Sequence, residues 1–326
     1  MDFAACSVIR VCIVGCGAIG SLYAAHLARV CEVWAFVRRP EQAQALREEG
    51  IRVSGTHEFH AHIHATIHPA ELPPCDFAIV STKATQTVDA VAPIAEKLRK
   101  CAVLSAQNGL GGEEVIAGLT RGFVMRGTTF MSGTRLSDTH VKYELDTPTW
   151  LGPFERSGTP FSLVQQLGGL IEAGGLKAIA LPDARPAQWS KLIFNASVNS
   201  VAALTELPHC RLFSAEEQFE DLGHLLHALI DEGKQVASGL GIKLENDPWE
   251  MNCIGAQTDL PPSMLYDVQH RLATEVDFLG GAIAREARRA GTCAPLHEAL
   301  YRLIKGKEAS WSWKSGAAVE SNQKIS

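Results

Sequence analysis

The stretch Val8–Arg29, VIRVCIVGCGAIGSLYAAHLAR, decides the fold. Val8 to Val14 is a short run rich in β-branched residues, which suit a pleated, buried surface. It stops at Gly15-Cys16-Gly17-Ala18-Ile19-Gly20, and Ser21 to Arg29 then has helical composition. In the order strand, turn, helix, the pattern G-x-G-x-x-G has a physical meaning. The glycines permit a tight turn and close approach of backbone to a pyrophosphate, which sits at the helix N-terminus. The same spacing alone would fit any tight turn. Placed one strand into the chain and followed by a second strand, Glu32 to Val37, it predicts a dinucleotide-binding unit with Gly15, Gly17, Ala18, Ile19 and Gly20 against the cofactor.

The end of the second strand selects the dinucleotide. A site for NAD carries an acid there to bond the ribose hydroxyls, whereas this chain has Arg38 and Arg39. A guanidinium pairs with a 2′-phosphate through two parallel bonds. The expected cofactor is therefore NADP(H), held first by Arg38 because it follows the strand directly. Capping of a surface turn before Pro40 is the plainer use of the same arginines.

Further on, Ile51 to His68 places His60, His62, His64 and His68 on one parity and Ala61, Ile63, Ala65 and Ile67 on the other, which reads as one strand with a wet face. Histidines two apart on a strand could also ligate a metal. No carboxylate or cysteine completes a set here, so no metal is expected. Asp76 to Thr82 and Cys101 to Ala106 are strands of buried type, followed by Lys83 and by Gln107-Asn108-Gly109. At the carboxyl ends of a doubly wound sheet, Lys83, Gln86 and Asn108 would approach the cofactor and the reacting end of a substrate. Phe123 to Met131, Val141 to Trp150 and Leu176 to Leu181 read as further strands, and Leu163 to Ala173 as a helix.

From Pro182 the pattern becomes helical, with helices expected over roughly 188–204, 214–240, 263–290 and 295–307. The expected fold is α/β: a Rossmann-type doubly wound sheet in residues 1–184, an all-helical carboxyl-terminal domain in residues 185–312, and a disordered polar tail in residues 313–326. In the first of these helices Lys191, Asn195 and Asn199 stand four residues apart and share one stripe. Such a stripe could hold an oxygen-rich substrate or could simply face solvent. In the helix from Ser263 onward, Met264, Val268, Leu272, Leu279 and Ile283 form an apolar stripe with Glu275 on it. A carboxylate on a packing face needs a cation or hydrogen bonds, and Lys191 is the candidate partner. Asp267 and the arginines nearby read as solubilising charge, and Gly280-Gly281 as a site of close helix packing.

Composition limits the partners. Thirty basic residues against thirty-six acidic ones give a formal net charge of -6, with no general pull toward nucleic acid or an anionic membrane. Nine scattered cysteines and the lack of an apolar run of roughly 18 residues fit a soluble, cytoplasmic chain with reduced thiols. An amphipathic helical domain makes a homodimer plausible.

Taken together these residues resemble the ketopantoate reductases, the 2-dehydropantoate 2-reductases. The similarity runs from about Val8 to Lys307 and rests on Gly15-x-Gly17-x-x-Gly20, Arg38, Lys83-Ala84, Gln107-Asn108-Gly109, Arg126-Gly127, Trp189-x-Lys191-x-x-x-Asn195-x-x-x-Asn199, Ser263-Met264-x-x-Asp267, Thr274-Glu275-x-Asp277 and Arg285-Glu286-Ala287. The resemblance implies NADPH-dependent reduction of a 2-oxo acid in a cleft between two domains, with Lys191 and Glu275 as the catalytic pair and Asn108, Asn195, Asn199 and Ser263 around the substrate. Pro262 departs from the small polar residue usual before Ser263, and Asp259-Leu260-Pro261-Pro262 is stiff for a loop facing hydroxymethyl groups. A branched or aromatic 2-oxo acid is therefore the alternative substrate. A non-catalytic NADP(H) sensor is the alternative from another class, and it has no use for the retained Lys191 and Glu275.

Overall fold

The computed structural model describes residues 8–213, 220–251 and 261–313. Its strands, in chain order, are β1 (Arg10–Val14), β2 (Glu32–Phe36), β3 (Ile51–Gly55), β4 (Phe59–Ala61), β5 (His64–Thr66), β6 (Phe77–Val80), β7 (Ala102–Ser105), β8 (Phe123–Thr129), β9 (Ser132–Arg135), β10 (His140–Leu145), β11 (Thr149–Pro153) and β12 (Ala178–Ala180).

The apolar run of β1 is explained by its place at the centre of the main sheet. Val11 to Val14 are fully buried. Successive side chains leave opposite faces of a strand, so Val11 and Ile13 enter one apolar layer while Cys12 and Val14 enter the other. A parallel strand covered on both faces requires this continuous hydrophobicity. One layer is closed by the helices Ala18–Leu27 and Phe161–Ala173, the other by Thr87–Val91, Ala95–Leu98 and Gly112–Thr120.

The main sheet has the order β12-β11-β8-β7-β6-β1-β2-β5. Its strands from β5 to β8 are parallel, β11 runs antiparallel to β8, and β12 is parallel to β11. The chain travels outward from β1 to β2 and β5, then returns to β6 on the other side of β1. Reversal of strand order at that point opens a crevice at the carboxyl ends of the strands.

Two expected strands are corrected. Residues 51–68 form three strands rather than one: β3 and β4 are antiparallel in a smaller sheet of order β4-β3-β10-β9, while β5 joins the main sheet beside β2. The chain leaves β3 at Gly55, φ +95°, where a Cβ would meet the Tyr143 carbonyl oxygen at 2.3 Å. The alternation itself persists, with His60, His62, His64 and His68 exposed and Ala61, Ile63 and Ala65 buried. Likewise 141–150 divides into β10 and β11, in different sheets, because Pro148 in the gap lacks the N–H a continuous ladder needs.

Beyond Leu181 the chain is helical. The Arg185–Thr205 helix opens with Pro186 in its first turn and closes at Glu206, φ 62°. Trp189, Leu192, Ile193 and Ala196 feed one apolar cluster and Phe194, Val198, Val201 and Ala202 another. A helix apolar nearly all round is the axis of its bundle. Around it pack His209–Leu212, Glu220–Gly239, Ser263–Gln269, Gly280–Arg289 and Pro295–Ser310. Residues 214–219 of the expected second helix, Asp259 and Leu260, and the tail from residue 314 lie outside the described residues. Among the described residues no helix is long and apolar enough to cross a membrane.

The single helix expected over 263–290 is also corrected. It stops after Gln269, where Arg271 takes a left-handed conformation, φ 53°, and the Leu272 N–H bonds the Asp267 carbonyl at 2.8 Å. That is a Schellman closure. Leu272 is consequently exposed at 45% rather than on an apolar stripe, and Glu275 lies in the turns between two helices. Gly280 and Gly281 begin the second helix. A Cβ on Gly281 would stand 3.0 Å from the Tyr301 ring, so the close packing read from the glycine pair is present at a helix start.

Candidate active site

A cleft of about 860 Å³ opens at the carboxyl edge of the main sheet and is lined by residues that follow β1, β2, β5, β6, β7 and β8. Gly15, Gly17, Ala18 and Ile19 line it, as do Arg38, Lys83, Gln86 and Asn108, and Lys191, Ser263 and Glu275 reach it from the helical half.

The glycine turn fits a pyrophosphate. Gly15 has φ +90°, and a Cβ there would strike the Thr82 side chain at 2.5 Å. A Cβ on Gly20 would lie 2.0 Å from the Gly15 carbonyl oxygen, whereas one on Gly17 meets nothing within 4 Å. Gly20 therefore serves packing of turn on helix and does not line the cleft; Gly17 leaves an open cradle at the N-terminus of Ala18–Leu27. Gly20→Ala is expected to destabilise the fold, and Gly17→Val to leave the thermal midpoint near wild type while abolishing dinucleotide binding in a titration. Equal thermal losses in both variants would contradict this division of roles.

At the end of β2, Arg39 is ion-paired with Asp138. Arg38 is exposed and makes no hydrogen bond or ion pair to a described residue, which leaves its guanidinium free for a ligand.

The part of the cleft around Lys191 is built from the segments at the ends of β6, β7 and β8, the 270–279 turns and one helix. Lys191 Nζ donates to Asn108 Oδ1 at 2.8 Å and to the Thr129 carbonyl, with the Phe130 ring centroid 5.4 Å away. The other end of the Asn108 amide donates to Glu275 Oε2 at 3.4 Å, and Glu275 Oε1 accepts the Ala84 N–H at 2.9 Å. The expected direct pair of Lys191 and Glu275 is thus corrected: Asn108 stands between them, accepting from the lysine and donating to the carboxylate. The reason is topological, since the loop after β7 enters the space between the Arg185–Thr205 helix and the 270–279 turns. Burial pushes Lys191 down to about 8, and the Glu275 charge works against that fall. Burial also raises Glu275, which is 7% exposed, while the Ala84 N–H, the Asn108 amide and Lys83 hold it down.

Lys83 is ion-paired with Asp267. Asp267 is 3% exposed, so its reading as solubilising charge is corrected. Four residues after Ser263, it shares that helix face and ties it to the loop after β6; the spacing was the available signal. Asn199 is buried and accepts from Ser263 Oγ and the Met264 N–H, both at 3.4 Å. Asn195 is half-buried, and neither asparagine belongs to the cleft lining. Pro262 caps the Ser263–Gln269 helix in extended conformation, φ -54°, ψ 149°.

Several supporting residues carry no local pattern. Gln188 donates to Glu113 Oε1 at 2.6 Å and to the Gly109 carbonyl at 3.2 Å, and accepts from Arg126 Nη1 at 2.6 Å. It fixes the Asn108 loop against the Lys191 helix three residues before the lysine. Gln107 Nε2 donates to the Thr82 carbonyl at 3.0 Å and Thr87 Oγ1 at 2.8 Å, joining the loops after β6 and β7. Both are buried amides, which hold position only when hydrogen-bonded.

Residues 11–156 match the family model described as ketopantoate reductase PanE/ApbA, and residues 183–308 match its C-terminal counterpart. A 2-dehydropantoate 2-reductase of Archaeoglobus fulgidus is 30% identical over 302 residues, covering 92% of this chain and 98% of the relative. The crystal structure of a PanE/ApbA family ketopantoate reductase from Ralstonia eutropha JMP134 is 25% identical with a TM-score of 0.80, covering 93% of this chain and 99% of that one. A D-mandelate dehydrogenase solved with NADH and anilino(oxo)acetate has the same fold, with TM-score 0.80 at 21% identity and coverage of 93% and 99%. With an open glycine turn and a half-buried lysine lining one cleft, and similarity over 92% of its length, the chain belongs to the ketopantoate reductase family of NAD(P)-dependent oxidoreductases.

Proposed function

We propose that this chain reduces 2-dehydropantoate (ketopantoate) to pantoate with NADPH, in a cleft between a dinucleotide-binding domain of residues 1–184 and a helical domain of residues 185–312. The observation that carries the reading is the Lys191–Asn108–Glu275 chain at the end of the cleft opposite the Arg38 strand. Arg38 and the open turn at Gly17 would hold the dinucleotide. When bound, that cofactor supplies the hydride that C2 of a 2-oxo acid accepts.

The protein's part is charge and a proton. As C2 is reduced, its former carbonyl oxygen gains negative charge, which an ammonium group already in place stabilises. Lys191 is held by two oxygens, Asn108 Oδ1 and the Thr129 carbonyl, and its third N–H is left for the substrate. A pKa near 8 makes it a better proton donor than a solvated lysine, while most of it is still charged at neutral pH. Ser263, which lines the cleft, completes the substrate side of the proposal; Asn199 accepts from it and from the Met264 N–H, and Glu275 orients the amide that orients the lysine.

A second reading has a specific support. Phe130 lies beside Lys191 and is 6.3 Å from Phe194, which stacks on Phe213 at 6.4 Å. An apolar ring so near the ammonium, backed by two more, suits a 2-oxo acid with an aromatic side chain. Nicotinamide absorbance followed over a panel of 2-oxo acids separates the readings: fastest turnover with ketopantoate supports the first, and a phenyl-substituted acid turning over faster supports the second. Arg38→Ala is expected to weaken NADPH binding about tenfold or more and leave NADH binding unchanged; equal weakening of both would remove NADPH preference from the proposal.

A further inference from the structure

Two arginines at the end of β2 are visible in sequence, but a third guanidinium lines the same cleft. Arg135 ends β9, far along the chain in the smaller sheet. Asp138 joins it to Arg39: its Oδ1 accepts from Arg135 Nη1 at 2.9 Å and also pairs with Arg39. Thus Arg38, Arg39 and Arg135 share one end of the lining with a single carboxylate between the last two. The carboxylates of the lining itself lie elsewhere, Asp89 on the Thr87–Val91 helix and Glu275 beside Asn108.

The support beneath Arg135 is rigid. The hairpin of β9 and β10 closes through the Leu136 and Ser137 N–H groups on the His140 carbonyl, at 2.9 and 3.1 Å. At Gly133 a Cβ would stand 2.7 Å from the Lys142 carbonyl and 3.2 Å from Leu22 of the Ala18–Leu27 helix. The strand that carries Arg135 therefore rests on the helix whose N-terminus forms the phosphate cradle. Its side chain nonetheless keeps 43% of its surface in solvent, so it is positioned without being consumed by packing.

We propose that Arg135 is a specificity-determining residue for the cofactor, completing with Arg38 and Arg39 a three-arginine site for the 2′-phosphate of NADP(H). The inference rests on the NADPH preference stated above. Three guanidinium groups against one carboxylate leave an excess of positive charge. A ribose hydroxyl does nothing to neutralise it, whereas a phosphate monoester of charge about -1.5 to -2 does. Asp138 keeps two of the forks adjacent, which lowers the side-chain ordering that binding must otherwise meet.

The test uses the full chain and calorimetric titration with NADPH, NADH and the fragments 2′,5′-ADP and 5′-AMP. Arg135→Gln is expected to weaken NADPH and 2′,5′-ADP about tenfold, to leave NADH and 5′-AMP unchanged, and to flatten the salt dependence of 2′,5′-ADP binding. Arg135→Lys should recover only part of the loss, because an ammonium keeps the charge without the fork. The exposed side chain predicts an unchanged thermal midpoint, so lost affinity is not lost folding. Equal losses for NADPH and NADH would place Arg135 on the phosphates common to both and overturn the proposal, as would undiminished 2′,5′-ADP affinity. Wild-type protein that binds NADH as tightly as NADPH would instead overturn the cofactor preference on which it rests.

Discussion

Replacing Lys191 by alanine is expected to lower kcat for 2-oxo acid reduction about a hundredfold or more, with the protein still folded. In the proposed reaction Lys191 supplies both the positive charge at the developing alkoxide and the proton, and among the described residues the other lysine of the cleft, Lys83, is paired with Asp267. The fold should survive because alanine is the best helix former and because burial of the ammonium is itself unfavourable. Lys191 sits near 8 in the folded chain, below the unfolded value of about 10.4. The folded state therefore binds fewer protons between those two values. Over that window stability should rise with pH, and in the variant this rise should be absent. Stopped-flow single turnover separates the chemical step from binding; a variant turning over at the wild-type rate would end the assignment. For the wild type, the same value sets the alkaline limb: reduction should fall above about pH 8, while oxidation of the 2-hydroxy acid should gain.

Glu275→Gln is expected to cost about a hundredfold as well, by a route the hydrogen bonds specify. Glu275 accepts from the Ala84 N–H and from the Asn108 amide. A glutamine keeping the Ala84 bond turns its own NH2 toward the NH2 of Asn108. Two donors cannot share that contact, so the Asn108 amide must turn over, which presents NH2 to the Lys191 ammonium in place of the oxygen it now accepts through. Lys191 also loses the charge that holds its pKa up. The variant should therefore show a lower kcat and an alkaline limb moved below pH 8. It should also lack the acid limb that a buried carboxylate, raised above its ordinary range, contributes to the wild type. An unchanged pH profile with reduced kcat would mean that Glu275 acts on the substrate and not through Asn108. Asn108→Asp offers a cross-check, since it preserves the acceptor for Lys191 while placing a second carboxylate against Glu275.

Some of this site was legible because its signals are local. Gly15-x-Gly17-x-x-Gly20 needs only one turn of chain to declare itself, and Arg38 only the end of one strand. The Lys191 stripe follows from the 3.6-residue period, and the lysine is found in the cleft lining. Continuity of spacing is not continuity of structure. The apolar positions from Met264 to Ile283 keep a helical spacing in sequence across a break in structure, the Schellman closure at Arg271. Glu275 falls on that spacing without lying on a helix, and its burial has another cause, the loops after β6 and β7. Residues 51–68 are a second case: the alternation is present, but it spans two sheets.

By itself, then, the chain specified a parallel sheet with a dinucleotide turn, a helical second half, and the residue types at both ends of the cleft. The tertiary structure alone decided which groups meet. Asn108 lies 83 residues from Lys191 and 167 from Glu275, Lys83 lies 184 from Asp267, and Arg39 lies 99 from Asp138. Periodicity reports which face of an element is wet or dry; it holds no record of which other element will pack there. That depends on the strand order of the sheet and on where each helix ends.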